Sequence, residues 1–131
     1  MFELTMNGVV YQFKFGMGFL REINKTVSKA VDGLENVKKN MGLQYKIAGL
    51  IDGDVEDLVE VLECANKGFS PRATKAVIDA HIEDEDTDLD ALFDTVLDFL
   101  QKANATRKTT NAILEAVEAE KAKQEAEKAG E

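Results

Sequence analysis

The chain has 131 residues, of which 44% are hydrophobic, and a formal net charge of −9. This length allows one domain with a buried core, and the ordinary hydrophobic content excludes wholesale disorder. The acidic charge argues against binding to nucleic acid or to an anionic membrane. Because the sequence has no long uncharged apolar run, we expect neither a spanning helix nor a signal peptide. We therefore expect a soluble, intracellular protein.

The chain begins with two short segments in which apolar and polar residues alternate. Alternate side chains of a strand share a face, so each segment forms one apolar stripe. The stripes consist of Phe2, Leu4 and Met6 in the first segment and Val9, Tyr11, Phe13 and Phe15 in the second. Between them, Asn7 and Gly8 tolerate the positive φ angles of a tight turn. The sequence therefore predicts a β-hairpin, which is marginal alone and must pack against the rest of the chain or another molecule.

After Gly16 and Gly18 the apolar spacing becomes helical. The pattern predicts a first helix whose apolar face is formed by Phe19, Leu20, Ile23 and Val27. The two glycines follow a strand and precede a helix, as in a phosphate-binding turn, but neither phosphate-binding glycine motif is complete, so we expect them only to ease the change of direction. Residues 28–42 are mixed and polar, and we expect a connection there with at most an extra helical turn.

Two further stretches at helical spacing follow this connection. The first runs from Leu43 to near Gly53. The second begins at Asp54, which is a good N-cap, and ends before Gly68, which suits the position just past a helix.

The dipeptide Ser70-Pro71 predicts the start of another helix, with the serine as N-cap and the proline at the first helical position. Its apolar residues are Ala73, Val77, Ile78 and Ile82. A polar break at residues 83–88 separates it from the clearest helical repeat in the chain. That repeat consists of Leu89, Leu92, Phe93, Val96, Leu97 and Leu100.

The end of the chain is charged and has little to bury. From Glu118 onward it is almost entirely Ala, Glu, Lys and Gln, so we expect a tail, residues 105–131, that is partly helical or disordered, after a folded domain of residues 1–104. Residues 1–51 carry a net charge of +3 and residues 52–131 one of −12. The predicted fold is α+β and mostly α, with an N-terminal β-hairpin packed on a bundle of about five helices and a charged C-terminal tail.

The only histidine and the only cysteine are the first candidates for chemistry. His81 lies close to carboxylates, but it has no nearby Ser or Cys nucleophile in sequence and cannot form a typical zinc site alone, so we expect a structural role near a helix C-terminus. Cys64 cannot form an internal disulfide. Because Glu60 and Glu63 disfavour its thiolate, we expect it to pack in the core.

An acidic run between residues 83 and 98 suggests a calcium-binding loop. Its alternating acids are Asp84, Asp86, Asp88 and Asp90. Such a loop needs glycine at its sixth position and glutamate at its twelfth, but counting from Asp84 these are Leu89 and Thr95. A count from Asp52 finds the glutamate but not the glycine. We therefore interpret the acids as a helix cap and a solvated face, and expect a non-enzymatic protein without metal or cofactor.

The segment from Phe2 to Val27, FELTMNGVVYQFKFGMGFLREINKTV, resembles the opening of the tail assembly chaperones of long-tailed, siphovirus-type phages and prophages of Gram-positive bacteria. The matching features are an apolar strand, a short polar turn, a second strand ending in aromatic residues, and then Gly-Met-Gly-Phe-Leu-Arg-Glu-Ile-Asn. The helical body through about Gln101 and the charged C-terminus fit the family's size and composition.

The resemblance implies a chaperone that binds the tape measure protein, a very long and aggregation-prone helical chain. It would keep that protein soluble in the host bacterial cytoplasm, help recruit the major tail (tube) protein, and be absent from the mature virion. It also implies a longer product made by ribosomal frameshifting. Free hairpin edges would allow self-association by strand addition.

We predict that one set of aromatic residues borders the surface used for assembly or client capture. The set consists of Tyr11, Phe13, Phe15 and Phe19. The alternative is that the same face packs on the chain's own helices.

Two other functions stay open at this point. One is a phage structural protein retained in the virion, such as a tail completion or head-tail connector subunit. The other is an acidic DNA mimic or regulatory inhibitor, suggested by the carboxylates between residues 83 and 98.

Overall fold

A hairpin, a second small ribbon and six helices follow one another in the computed structural model, which describes residues 1–34 and 36–129. The strands are β1 (Phe2–Met6), β2 (Val9–Phe13), β3 (Ser28–Ala30) and β4 (Lys38–Asn40). The helices are α1 (Met17–Asn24), α2 (Gly42–Ile51), α3 (Val55–Asn66), α4 (Lys75–Glu83), α5 (Leu89–Lys102) and α6 (Arg107–Ala129). The predicted α+β, mostly α fold is confirmed.

The N-terminal hairpin forms as predicted. Strands β1 and β2 pair antiparallel, with Phe2 opposite Phe13, and Asn7 and Gly8 make the turn with φ angles of 52° and 76°. One face packs in the core, with Leu4 half-buried, but Val9, which directly follows the turn, stays 41% exposed. On β2 the buried stripe therefore begins at Tyr11, two residues later than the alternation predicts.

Helix α3 is the centre of the fold. It contacts α1, α2, α4 and strand β2. Most of its residues from Leu58 onward are buried, because neighbours cover it on several sides. Lys46 of α2 joins it by ion pairs of 2.9 Å to Asp57 and 2.6 Å to Glu60. Burial opposes the charge of Lys46, but the hydrogen bonds to both carboxylates outweigh it and raise the lysine pKa.

Residues 28–42 contain strands where a connection was expected. Helix α1 ends at Asn24, so Val27 lies outside it, and β3 and β4 then pair as an antiparallel ribbon. Every residue of both strands is exposed, so no apolar alternation marks them in the sequence. Lys29 lies opposite Lys39, an unfavourable pair, but its ammonium is 5.3 Å from the ring centroid of Tyr45.

The predicted helix start at Ser70-Pro71 is wrong. The Ser70–Pro71 peptide bond is cis, and α4 begins only at Lys75, where the hydroxyl of Thr74 accepts a hydrogen bond from the Val77 N–H. The physical reason is that the buried Asn66 side chain binds the backbone on both sides of residue 72 and holds this segment against the end of α3.

The caps predicted for the other helices are observed. The Asp54 carboxylate accepts a hydrogen bond from the Asp57 N–H at the start of α3, and helix α5 covers the repeat that begins at Leu89. The first turns of α6 pack against α2 and α5, with Thr110 fully buried, whereas residues 118–129 form an exposed helix. The division of the chain at residue 104 stays a prediction. Among the described residues, no helix is both long and apolar enough to cross a membrane.

Helices α1 and α2 approach each other closely at Gly42. A Cβ atom at this position would lie 1.7 Å from the Ile23 carbonyl oxygen. Two hydrogen bonds hold the two helices together at this point. One runs from the Leu43 N–H to the Asn24 side chain, and the other from the Met41 N–H to the Val27 carbonyl oxygen. The β3–β4 ribbon therefore leaves the body and returns to it at almost the same place.

We expect Gly42→Ala to lower the free energy of unfolding by about 3 kcal/mol, because backbone rather than a flexible side chain blocks the new methyl group. Urea denaturation followed by circular dichroism measures the change. Gly18→Ala is the matched control: its Cβ meets nothing within 4 Å, and a helical Gly→Ala change should stabilise by about 0.5 kcal/mol. Equal stability of Gly42→Ala and the wild type would contradict the close approach.

Candidate functional site

An open groove of about 970 Å³ lies where the end of β2, the start of α1 and the ends of α3 and α5 meet. Six of the seven phenylalanines of the chain line it. They are Phe2, Phe13, Phe15, Phe19, Phe69 and Phe99. We call this site the phenylalanine groove. Its volume is at the upper end of what ligand pockets usually show, and its lining is mostly apolar.

The aromatic rings of the groove pack against one another. The Phe99 ring centroid is 5.1 Å from that of Phe2 and 6.2 Å from that of Phe15. Phe15 and Phe19 meet edge to face at 5.1 Å. Such pairs add to the free energy gained by burial, so the floor of the groove is held in place before anything binds.

The four aromatic residues predicted for protein binding are all buried. Tyr11 is 7% exposed, Phe13 0%, Phe15 5% and Phe19 4%. Phe13, Phe15 and Phe19 line the groove, but Tyr11 does not. Their packing on the chain's own helices is thus established, while a contact with another protein stays a prediction. The groove also contains Phe69 and Phe99, which sequence reasoning missed.

The most exposed apolar side chains of the groove lie at its edge. Met17, the first residue of α1, is 50% exposed, and Met1 is 68% exposed. Flexible methionine side chains adapt to differently shaped partners. These two residues are therefore the apolar side chains of the groove lining that are most accessible to another chain.

Three lysines belong to the lining, namely Lys14, Lys67 and Lys102. Lys67 pairs with Glu22 at 3.0 Å, and Lys102 pairs with Asp98 at 2.9 Å. The hydrogen bond between Lys67 and Glu22 raises the pKa of the lysine and lowers that of the carboxyl. The groove is therefore apolar at its floor and basic at its border.

Asn66 fixes one wall of the groove. Its fully buried side chain donates hydrogen bonds to the carbonyl oxygens of Gln12 at 2.9 Å and Pro71 at 3.3 Å. Its carbonyl oxygen accepts from the Ala73 N–H at 2.6 Å and from the Arg72 guanidinium at 2.5 Å. All four hydrogen-bonding positions of the carboxamide are thus used. The guanidinium of Arg72 also binds Glu63.

Cys64 lies in the same wall and is 6% exposed. Burial raises the pKa of its thiol; the positive charge of Lys67 acts against this, while the carboxylate of Glu63 adds to it. The expected packed position is confirmed, and the thiol is held in its protonated, weakly nucleophilic form.

The acidic run takes part in local hydrogen bonds. Asp88 caps α5 by accepting from the Ala91 N–H, and Asp84 accepts from the Asp86 N–H. The backbone carbonyl of His81 accepts from the Thr87 hydroxyl, so this histidine helps close the turn between α4 and α5. No group of three or more potential metal ligands occurs in the part of the chain that the structure describes.

A comparison with models of known protein families gives a match over most of the chain. A family model described as "Phage tail assembly chaperone protein, TAC" matches residues 3–115, which is most of the chain. The matched region includes the hairpin except for Phe2, every groove-lining residue after Phe2, and the packed beginning of α6. Neither the curated proteins nor the solved structures gave a match.

We expect Asn66→Ala to lower the free energy of unfolding by roughly 3 kcal/mol. The substitution leaves the Gln12 carbonyl and the Ala73 N–H without their buried partner, and each such group costs about 1–3 kcal/mol. Urea denaturation measures the loss. The exposed Asn104, changed to alanine, is the control and should alter stability by less than about 0.5 kcal/mol. Similar stability for both variants would contradict a structural role of Asn66.

We expect the Cys64 thiol to react with iodoacetamide at least tenfold more slowly in the folded chain than in urea at pH 8. The thiolate is the reacting form, and a raised pKa leaves less of it at this pH; burial slows the reaction further. In the folded chain, the rate should continue to rise above the pH at which the rate of the unfolded chain levels off. Mass spectrometry of alkylated protein gives both rates, and equal rates would contradict the buried position.

Proposed function

Because this chain belongs to the phage tail assembly chaperone family, we propose that it binds the tape measure protein through the phenylalanine groove and keeps it soluble until the tail tube assembles around it. In this proposal it also helps recruit the major tail (tube) protein, acts in the cytoplasm of the host bacterium, and is absent from the finished virion. Family membership by itself implies interaction with tail proteins and favours a non-enzymatic role.

The observation that carries the proposal is the collection of six phenylalanines in one open groove. Aromatic residues dominate the binding energy of many protein interfaces, where they form well-packed clusters near the centre. An apolar site with exposed edge residues such as Met17 gains free energy when another apolar surface covers it. A segment of an aggregation-prone client is a partner of this kind.

The charge of the chain supports the same role. A chaperone bound in several copies must keep the complex soluble, and a net charge of −9 resists association between complexes. The exposed residues 118–129 contain four glutamates and three lysines, a net charge of −1, so most of the negative charge lies on the rest of the chain. In this proposal the groove binds the client, and the acidic surface keeps the complex soluble.

Self-association is part of the proposal. Within the described part of the chain the β3–β4 ribbon has two strands, so each strand has a free edge there. A second copy could pair with such an edge by strand addition. This contact would leave the phenylalanine groove open, because the ribbon contributes none of the described groove-lining residues.

We expect co-expression with the tape measure protein of the same phage to move that protein into the soluble fraction. Met17→Gln should weaken the complex about fivefold, because it removes apolar area at the groove edge. Val10→Gln is the matched control: Val10 is 48% exposed, close to the 50% of Met17, but lies outside the groove. Affinity chromatography on a tagged tape measure protein, calibrated with purified chain, measures both variants.

Equal weakening by the two substitutions would contradict binding in the groove, and an insoluble tape measure protein would contradict the chaperone role. Mass spectrometry of purified virions provides a second readout of the same proposal. The chain should be absent from them. Its presence in stoichiometric amounts would instead identify a structural protein of the tail.

A further inference from the structure

The charge at the phenylalanine groove is opposite to that of the whole chain. Asp and Glu outnumber Lys and Arg by 25 to 16 in the sequence. The described groove lining nevertheless includes three lysines and no acidic residue. Lys67 and Lys102 are paired with Glu22 and Asp98, so the excess positive charge at the groove is that of Lys14. The groove is therefore an apolar site with a weakly basic border in an acidic protein.

The three lysines are available to an incoming carboxylate. Lys14 is exposed and forms no ion pair with any residue that the structure describes. The pairs of Lys67 and Lys102 lie at the surface, with lysine side chains 42% and 73% exposed. Exposed pairs of this kind contribute little free energy, so a carboxylate from a partner can replace Glu22 or Asp98 at small cost.

We infer that the phenylalanine groove selects segments of its client in which a short apolar stretch is bordered by Asp or Glu residues. This inference rests on the proposed function, because it specifies the chemistry of the tape measure segment that the groove binds. Affinity comes from burial of the apolar area that the groove still exposes, mainly that of Met17 and the half-buried rings of Phe69 and Phe99. The lysines supply selectivity, since they attract bordering carboxylates and repel a segment bordered by Lys or Arg.

Selectivity of this kind has a clear electrostatic signature. Long-range attraction by an acidic chain favours basic peptides. A preference for the acidic peptide would therefore run against the net charge of the protein and must arise from local contacts at the groove. Because the lysines are exposed, added salt should reduce the preference.

The test uses the full chain and two synthetic peptides with identical apolar residues, one flanked by four glutamates and the other by four lysines. Fluorescence anisotropy in 50 mM and 500 mM NaCl measures both affinities. We expect the glutamate peptide to bind at least tenfold more tightly in low salt, and less than threefold more tightly in high salt. Equal binding, tighter binding of the lysine peptide, or no binding of either peptide would overturn the inference.

Two triple variants show whether the groove lysines cause the preference for the glutamate peptide. The groove variant should abolish this preference; it combines Lys14→Gln, Lys67→Gln and Lys102→Gln. The control combines three exposed lysines outside the groove, as Lys75→Gln, Lys108→Gln and Lys121→Gln, and has the same net charge. It should retain at least a tenfold preference. An unchanged preference in the groove variant, with wild-type circular dichroism, would overturn the role of the three lysines.

The outcome separates this inference from the proposed function. If the wild-type chain discriminates between the peptides but fails to solubilise the tape measure protein, the proposed function is wrong and the groove's selectivity stands. If it solubilises the tape measure protein but binds both peptides equally, the selectivity alone is wrong.

Discussion

The Asn66 carboxamide, at the end of α3, joins the hairpin, 54 residues earlier at Gln12, to the segment at Pro71 and Ala73 that follows α3. It is fully buried, and its two donors and two acceptor positions are satisfied. Because a buried amide tolerates few arrangements, this interaction fixes where the hairpin lies on α3 and delays the start of α4. The wall of the phenylalanine groove follows from the same constraint.

The parts of the fold that the sequence predicts are those determined by local patterns. The hairpin follows from alternation around Asn7, and the start of α3 follows from Asp54. The β3–β4 ribbon could not be found in this way, because its exposed strands carry no apolar alternation. The dipeptide Ser70-Pro71 gave a wrong prediction for a different reason. It matches a helix start, but the buried side chain of Asn66, which is held by the hairpin at Gln12, binds the backbone of Pro71 and Ala73 instead.

The sequence likewise predicts only the groove residues that lie close together along the chain. Phe13, Phe15 and Phe19 are close in sequence, and their aromatic character marks the end of the hairpin as unusual. Phe99 reaches them only because α5 ends beside the hairpin, and no local pattern brings these residues together. One available signal was Phe69, a large apolar residue directly after Gly68 in an otherwise polar helix end. The basic border likewise combines lysines at the ends of three separate elements, β2, α3 and α5, so it could not be recognised before the fold was known.

The exposed part of α6 has a geometric consequence for anything attached to it. Residues 118–129 would extend about 18 Å if the helix stays regular, at about 1.5 Å per residue. A helix also turns by roughly 100° with each residue. A one-residue insertion there would therefore rotate an attached domain around the helix axis by roughly 100° but move it outward by only about 1.5 Å. An insertion of about three or four residues would restore its original orientation around the axis. The length of α6 can thus determine both how far an attached domain lies from this one and in which direction around the helix axis it faces.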